Sequence, residues 1–186
     1  ARLPIQDGTG GHGAAGPAEH GPAERRRARD LCKALNESHD SEQELRERII
    51  RELFGKTGDA IWIEPPFYCD YGANITLGSR VFFNYNCVIL DPASVIIGND
   101  VLFGPAVQVY TATHPISASE RRSWRESAQP VEIGSDVWVG GGAIICPGVH
   151  IGSRSVIGAG SVVTNDIPED VFAAGNPCRC IRHLND

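Results

Sequence analysis

The chain has 186 residues, with 23 acidic and 17 basic side chains and a formal charge of −6. That size fits one domain, or one domain with a small appendage, and the acidic balance argues against the positive field a nucleic-acid binder needs. No run approaches the ~18 apolar residues of a membrane span and the N-terminal stretch lacks a signal-peptide core, so a cytoplasmic protein with no membrane partner is expected.

Residues 1–21 hold six of the 21 glycines and almost nothing to bury. They read as a loosely draped leader. Composition changes at Pro22, and residues 22–56 predict two short helices joined around Asn36–Asp40. Leu31 and Leu35 lie four apart, as on one helical face. Ser41 and Glu44 make a capping-box pattern ahead of Leu45, Ile49, Leu53 and Phe54, and Gly55 stands where a C-cap glycine belongs. Arg25, Arg26, Arg27 and Arg29 form a basic run, for which a solvated helix face is the plain reading and an anion site the sharper one. The six cysteines form no CxxC pair and are expected as buried, reduced thiols.

From about Ile61 the chain is periodic. Apolar residues recur every six positions at Leu77, Phe83 and Ile89, then Ile97, Phe103 and Val109, then Ile133, Val139, Ile145, Ile151, Ile157 and Val163. Small or β-branched residues follow four positions later, from Val81 and Cys87 to Ser155, Ser161 and Ile167. A hexapeptide of this kind supplies one short strand and one corner, and three make a coil of a triangular β-solenoid. Glycine, Asn and Asp suit the corners because the backbone bends sharply there. Aromatics at 7% fit a narrow prism filled by aliphatics. The solenoid is expected over 57–186, after a helical cap over 22–56. Two interruptions stand out. Ile89 to Ile97 is eight residues, so two bulge near Asp91–Ser94, and Val109 to Ile133 is 24, so about 18 leave the prism as a loop over 111–130. Long loops on rigid scaffolds usually carry function.

That loop opens with Thr111-Ala112-Thr113-His114-Pro115. A neutral imidazole can accept a hydroxyl proton near pH 7, so His114 is the candidate base. Asn84 and Asn86 fall in a corner, and Asp91 sits at the bulge, able to cap the turn or to bind a sugar hydroxyl. Gly140, Gly141 and Gly142 follow Trp138, where bare backbone N–H groups can approach a ligand. Glu126, in the same loop, is a candidate to orient His114 or line an acceptor site.

The stretches VFFNYNCVILD, VLFGPAVQVYTATHP, IGSDVWVGGGAIICPGVHIG and SVIGAGSVVTNDIPEDVFAAGNPCRCI resemble the hexapeptide-repeat sugar O-acetyltransferases, within them the maltose, galactoside and nodulation acetyltransferases. The resemblance runs from about Glu24 to Arg182. It implies an all-β fold, a left-handed parallel β-helix with a short N-terminal helical segment, assembled as a homotrimer with active sites between subunits. It implies acetyl-CoA as donor, a sugar hydroxyl as acceptor and no metal. The family's catalytic histidine falls on His114. Acceptor positions fall on Asn84, with Asn86, Asp91 and Glu126 beside it. The acetyl-CoA positions fall on Trp138, Gly140, Gly141, Ala159, Thr164, Arg179 and Arg182. Two departures are visible: Asn165 stands where relatives carry a basic residue, and the N-terminal aspartate that meets the acceptor sugar in relatives has no counterpart between Asp7 and Asp30. Two other readings remain. One is a hexapeptide oligomerisation module without chemistry. The other is a metal lyase on the same scaffold, which needs three converging imidazoles, where only His114 is well placed and His150 and His183 are not.

Overall fold

The computed structural model describes residues 21–185. The expected leader lies outside the described residues, Gly21 apart. Helix α1 (Pro22–Glu37) starts at Gly21, whose N–H donates to the Glu24 carboxylate at 3.0 Å. It buries Ala28, Cys32 and Leu35 along one stripe. Helix α2 (Gln43–Leu53) buries Ile49, Ile50 and Leu53. The expected capping box at Ser41 does not form. Ser41 instead bonds the His39 ring, the Glu42 carboxylate accepts the His39 N–H at 2.7 Å, and the helix begins at Gln43. Arg46 organises this junction, bonding Ser38 and Asp40 from a nearly buried position. Gly55 is also explained differently. Its φ is not left-handed; a Cβ there would run into the Ala73 carbonyl. The glycine permits close approach of α2's end to the first coil.

The remainder is a left-handed parallel β-helix of three faces. Face one stacks strands Lys56–Thr57, Ile75–Leu77, Val95–Ile97, Val131–Ile133 and His150–Ile151. Face two stacks Trp62–Ile63, Phe82–Phe83, Leu102–Phe103, Trp138–Val139, Val156–Ile157 and Val171–Ala174, closed by antiparallel Arg179–His183. Face three stacks Phe67–Cys69, Cys87–Leu90, Gln108–Tyr110, Ile144–Ile145 and Val162–Val163. Every repeat-opening residue from Leu77 to Val163 points inward and is buried, as are the i+4 residues from Val81 to Ile167 except Thr113 at the root of the loop. Ser155 and Ser161 sit inside at no cost in lost hydrogen bonds. Each hydroxyl donates to a carbonyl (Pro168, Gly158) and accepts a backbone N–H (Val171, Gly175).

The register reaches one coil below Leu77, through Thr57, Ile63 and Cys69. Its opener is polar, while Ile63 and Phe67 keep the beat of Phe83 and Cys87 one coil on. The step from one coil to the next varies along the prism, and is longest, 36 residues from Ile97 to Ile133, where the loop leaves. Thr57 pairs Leu77 and Leu77 pairs Ile97, 20 residues apart each; Ile133 pairs Ile151 after 18, and Ile151 bridges Ile167 after 16. The first coils are filled by a column of rings, Phe54, Phe67, Phe83 and Phe103, with centroids 5.7, 5.5 and 4.5 Å apart. The last coils are filled by Val, Ile, Ala, Ser and Cys178. Four cysteines are buried, Cys146 is half-buried and Cys180 is exposed, all as free thiols. No helix among the described residues is long and apolar enough to cross a membrane.

The extra residues all leave at one edge, between faces three and one. Asp91 lies there, fully buried. Its Oδ1 accepts the N–H groups of Asp70 and Tyr71, both at 3.0 Å, while its Oδ2 is buried without a partner among the described residues. Asp91 therefore caps a bend and is not open to a sugar. Burial raises its pKa from 3.8 to about 6. The folded chain thus holds this proton between those values while the unfolded chain has lost it, so stability falls as pH rises through that window. Asp91→Asn keeps the Oδ1 acceptor and removes the charge. We expect the variant's advantage in urea unfolding to grow from pH 5 to pH 8, to at most about 3 kcal/mol. An equal difference at both pH values would rule the account out.

Candidate functional site

The three edges of the prism treat their backbone amides differently. Between faces one and two, each corner N–H is capped from the next coil. Asp59 donates to Ser79 Oγ at 3.1 Å, Ser79 to Asn99 Oδ1 at 2.8 Å, Asn99 to Ser135 Oγ at 3.1 Å and Ser135 to Ser153 Oγ at 3.1 Å. The same edge carries the ion pairs Arg80–Asp100 and Arg154–Asp170. It is a closed structural seam.

The edge between faces two and three stacks Asn84–Asn86, Gly104–Ala106, Gly140–Gly142 and Gly158–Gly160. Asn84 Oδ1 accepts the Tyr85 N–H at 2.8 Å, and Pro105 has no N–H to satisfy. The N–H groups of Gly141 and Ala159 have no acceptor among the described residues, although their neighbours do: Gly140 donates to Ile157 O and Gly142 to Pro105 O. Glycines keep the approach open. A Cβ on Gly104 would lie 2.5 Å from Gly141 N, and one on Gly140 2.5 Å from Ala159 N. Two adjacent, unpaired amide donors on a rigid edge suit a carbonyl or an oxyanion. Asn86 proves to be the left-handed corner residue, at φ +63, and Asn84 is not. Asn84 is half-buried, with its side chain beside the bare amides' column.

Trp138 points outward on face two, 54% exposed, between Leu102 and Val156. With Phe172 these make an apolar strip beside the open amides. Arg182 lies over the Phe172 ring, its guanidinium carbon 5.9 Å from the centroid, and Arg179 pairs with Ala174 on the closing strand. So Trp138, Gly140, Gly141, Ala159, Arg179 and Arg182 gather along one edge and its flanking face. Thr164 does not join them. It follows Val162–Val163 at the far edge of face three, where its Oγ1 accepts from Asn165 Nδ2 at 3.1 Å.

His114 is on that far edge too. The loop leaves through Ala112–Thr113, which pairs antiparallel with Ser127–Ala128, and carries helix α3 (Ala118–Arg121) at its tip. Arg121 clasps the Pro115 and Ile116 carbonyls at 3.0 and 2.9 Å. The His114 Nδ1 lies 3.2 Å from the Arg125 carbonyl. A carbonyl only accepts, so Nδ1 is the donor, and in the neutral ring the lone pair falls on Nε2. The orienting group is thus the Arg125 backbone, in place of the expected Glu126 carboxylate, which is exposed. The depression holding His114 is lined by Ala118, Arg121, Arg122 and Trp124, all from the loop. Face three therefore separates the base from the open amides within one chain. Among the described residues no cluster of three His, Cys, Asp or Glu is arranged to hold a metal. His150 is exposed on face one, its N–H donating to Asp166 at 2.8 Å.

Comparison with known proteins gives matching assignments. Residues 22–58 match the maltose acetyltransferase hexapeptide capping motif, and residues 130–165 the bacterial transferase hexapeptide of six repeats. The chain is 46% identical over 165 residues to the galactoside O-acetyltransferase of Escherichia coli, covering 89% of this chain and 81% of that one. Among solved structures it is similar to a galactoside acetyltransferase in complex with coenzyme A, at TM-score 0.87 and 45% identity over 89% of this chain and 82% of that one. It is similar also to a maltose O-acetyltransferase of Clostridium difficile, at TM-score 0.87 and 48% identity over 88% of both chains.

The close packing at the open edge is testable. The Cβ of Gly140→Ala would meet fixed backbone, Ala159 N at 2.5 Å and Ile157 O at 2.8 Å, whereas Gly142→Ala has open space and only a φ of +69 to bear. Gly140→Ala should cost ~1–3 kcal/mol and Gly142→Ala ~1–2 kcal/mol or less. Urea midpoints of the two variants give the order, and a reversed order would refute the packing argument.

Proposed function

The chain belongs to the hexapeptide-repeat acetyltransferase family of the galactoside and maltose O-acetyltransferases, which makes it an acyltransferase, and we propose that it moves the acetyl group of acetyl-CoA directly to a hydroxyl of a maltose-, glucose- or galactoside-like sugar. The observation that carries this reading is the pairing of a free imidazole lone pair on one edge with two bare amide donors on another.

In this reading His114 Nε2 takes the proton of the sugar hydroxyl as its oxygen attacks the thioester carbonyl. The N–H of Gly141, with that of Ala159 beside it, stabilises the developing oxyanion. The imidazolium then returns its proton to the departing thiolate, so base and acid are one group. No side chain at the site serves as an acyl carrier, and transfer takes place in a ternary complex. The apolar strip of Leu102, Trp138 and Val156 suits a pantetheine arm, and Arg179 and Arg182 suit its phosphates. Thr164 and Asn84 complete the donor and acceptor sides.

Because face three lies between His114 and Gly141, a working site takes the far edge of one subunit and the open edge of the next. Such an interface joins two different surfaces, and it must close into a ring to stay finite. A prism of triangular section supports closure by three copies, a homotrimer with three equivalent sites. The loop of each subunit then covers the amides of its neighbour.

Thiol release from acetyl-CoA over a panel of sugars, with mass spectrometry of the products, tests the reaction. His114→Ala should lose ~10²–10⁴-fold in turnover while acetyl-CoA binding by calorimetry stays unchanged. Near wild-type turnover in the variant would overturn the assignment of the base.

A further inference from the structure

The loop carries one residue that neither the fold nor the chemistry above accounts for. Nine non-glycine residues among those described have φ near +60. Eight of them, such as Arg80, Asn86, Asp100 and Arg154, immediately precede a residue turned toward the prism interior, so the solenoid corner requires them. Trp124 is the ninth, at φ +58 in the loop. A left-handed backbone is unfavourable for so bulky a side chain, and no corner imposes it here. Its backbone is nonetheless fixed: the Trp124 N–H donates to Arg121 O at 3.1 Å, and Arg121 in turn holds the Pro115 and Ile116 carbonyls next to His114.

The indole gains nothing from its own chain. It is 89% exposed, where a tryptophan ordinarily buries most of its ring. It lines the same depression as His114, with Ala118 and the stem of Arg122. The hydroxyl that His114 deprotonates must reach Nε2 within that depression. A pyranose ring has polar edges and an apolar face of C–H bonds, and such a face stacks on an aromatic ring.

We propose that Trp124 is the acceptor platform, a specificity-determining residue that stacks on the apolar face of a pyranose ring and so presents one hydroxyl to His114. The inference rests on the sugar-acetylation reading. It selects cyclic sugars over open-chain polyols of similar hydroxyl content. Trp124 performs no proton transfer; it positions the acceptor.

The backbone makes a clean test available, because glycine is the residue that best tolerates φ +58. Trp124→Gly removes the ring while relieving the backbone, so it should be at least as stable to urea as the parent. We expect its KM for methyl galactoside or maltose to rise roughly tenfold, with kcat and the KM for acetyl-CoA unchanged and the preference for methyl galactoside over sorbitol largely lost. Trp124→Phe should keep most of that preference. The proposal is overturned if the acceptor KM of Trp124→Gly matches the parent's. It is overturned equally if the acetyl-CoA KM rises, or if light scattering shows the assembly falling apart, either of which would assign the ring to the donor or to a neighbouring subunit. Failure of the sugar reading itself looks different: the parent enzyme would release no thiol with any sugar, which removes the ground for both.

Discussion

Parallel stacking sets the terms of this molecule. Each coil repeats the corner of the coil beneath it, close enough that a Cβ on Gly78, Gly98, Gly104, Gly134 or Gly140 would touch backbone or side-chain atoms of the next coil at 2.5–2.8 Å. At such a corner the chain must still satisfy an N–H that the sheets cannot reach. One edge does so with a ladder of Ser and Asn side chains, each reaching back one coil. The next edge places Gly and Ala at the corresponding positions of two successive coils, and the amides stay open. The proposed donor site is therefore the place where the fold's own bonding is left unfinished.

The third edge relaxes the same constraint in another way. Residues beyond the 18-residue coil leave the prism there, two in each of the first coils and a whole loop after Tyr110. Helix α1 covers the lower bulges, with Arg25 over the Tyr71 ring and Asn36 bonding both the N–H and the carbonyl of Phe67. The upper insertion is uncovered, and it carries His114. A hairpin at its base, a helical turn at its tip and the Arg125 carbonyl at the imidazole hold that loop as firmly as a loop can be held. Orientation of the base thus comes from backbone, as does the proposed oxyanion contact across the subunit boundary.

The interior was legible from residues alone because it answers to one variable. A residue at the opening of each hexapeptide must be apolar and point inward, and from Leu77 to Val163 each one does. Legibility fails where a position answers to two demands. Asp91 looks like a ligand for a sugar by type and place, yet the bulge needed its carboxylate for the Asp70 and Tyr71 amides. Asn84 and Asn86 share one residue type and one corner, but only Asn86 takes the left-handed backbone. Glu126 is one candidate to orient His114 because side chains are what a sequence displays; the Arg125 carbonyl, which lies at the imidazole, has no sequence signature. The bare amides of Gly141 and Ala159 are invisible for the same reason, since they are defined by hydrogen bonds that neighbours fail to make. The first coil opens on polar Thr57, which blunts the six-residue beat that Ile63 and Cys69 keep.

Donor and acceptor recognition are consequently built from different material. The proposed acetyl-CoA contacts rest on backbone amides, glycines and the outward strip of face two, all tied to the repeat itself. Changing them means changing how coils stack, so the donor is as fixed as the fold. The proposed acceptor contacts, Asn84 apart, are side chains on an insertion, and they can change without touching a coil. Trp124 has the character expected of such a position: it holds a left-handed backbone and leaves most of its ring exposed, which suits a partner from outside the chain. A ring face recognises shape more than hydroxyl direction, so the proposed platform favours the ring form of an acceptor over any one pattern of hydroxyls.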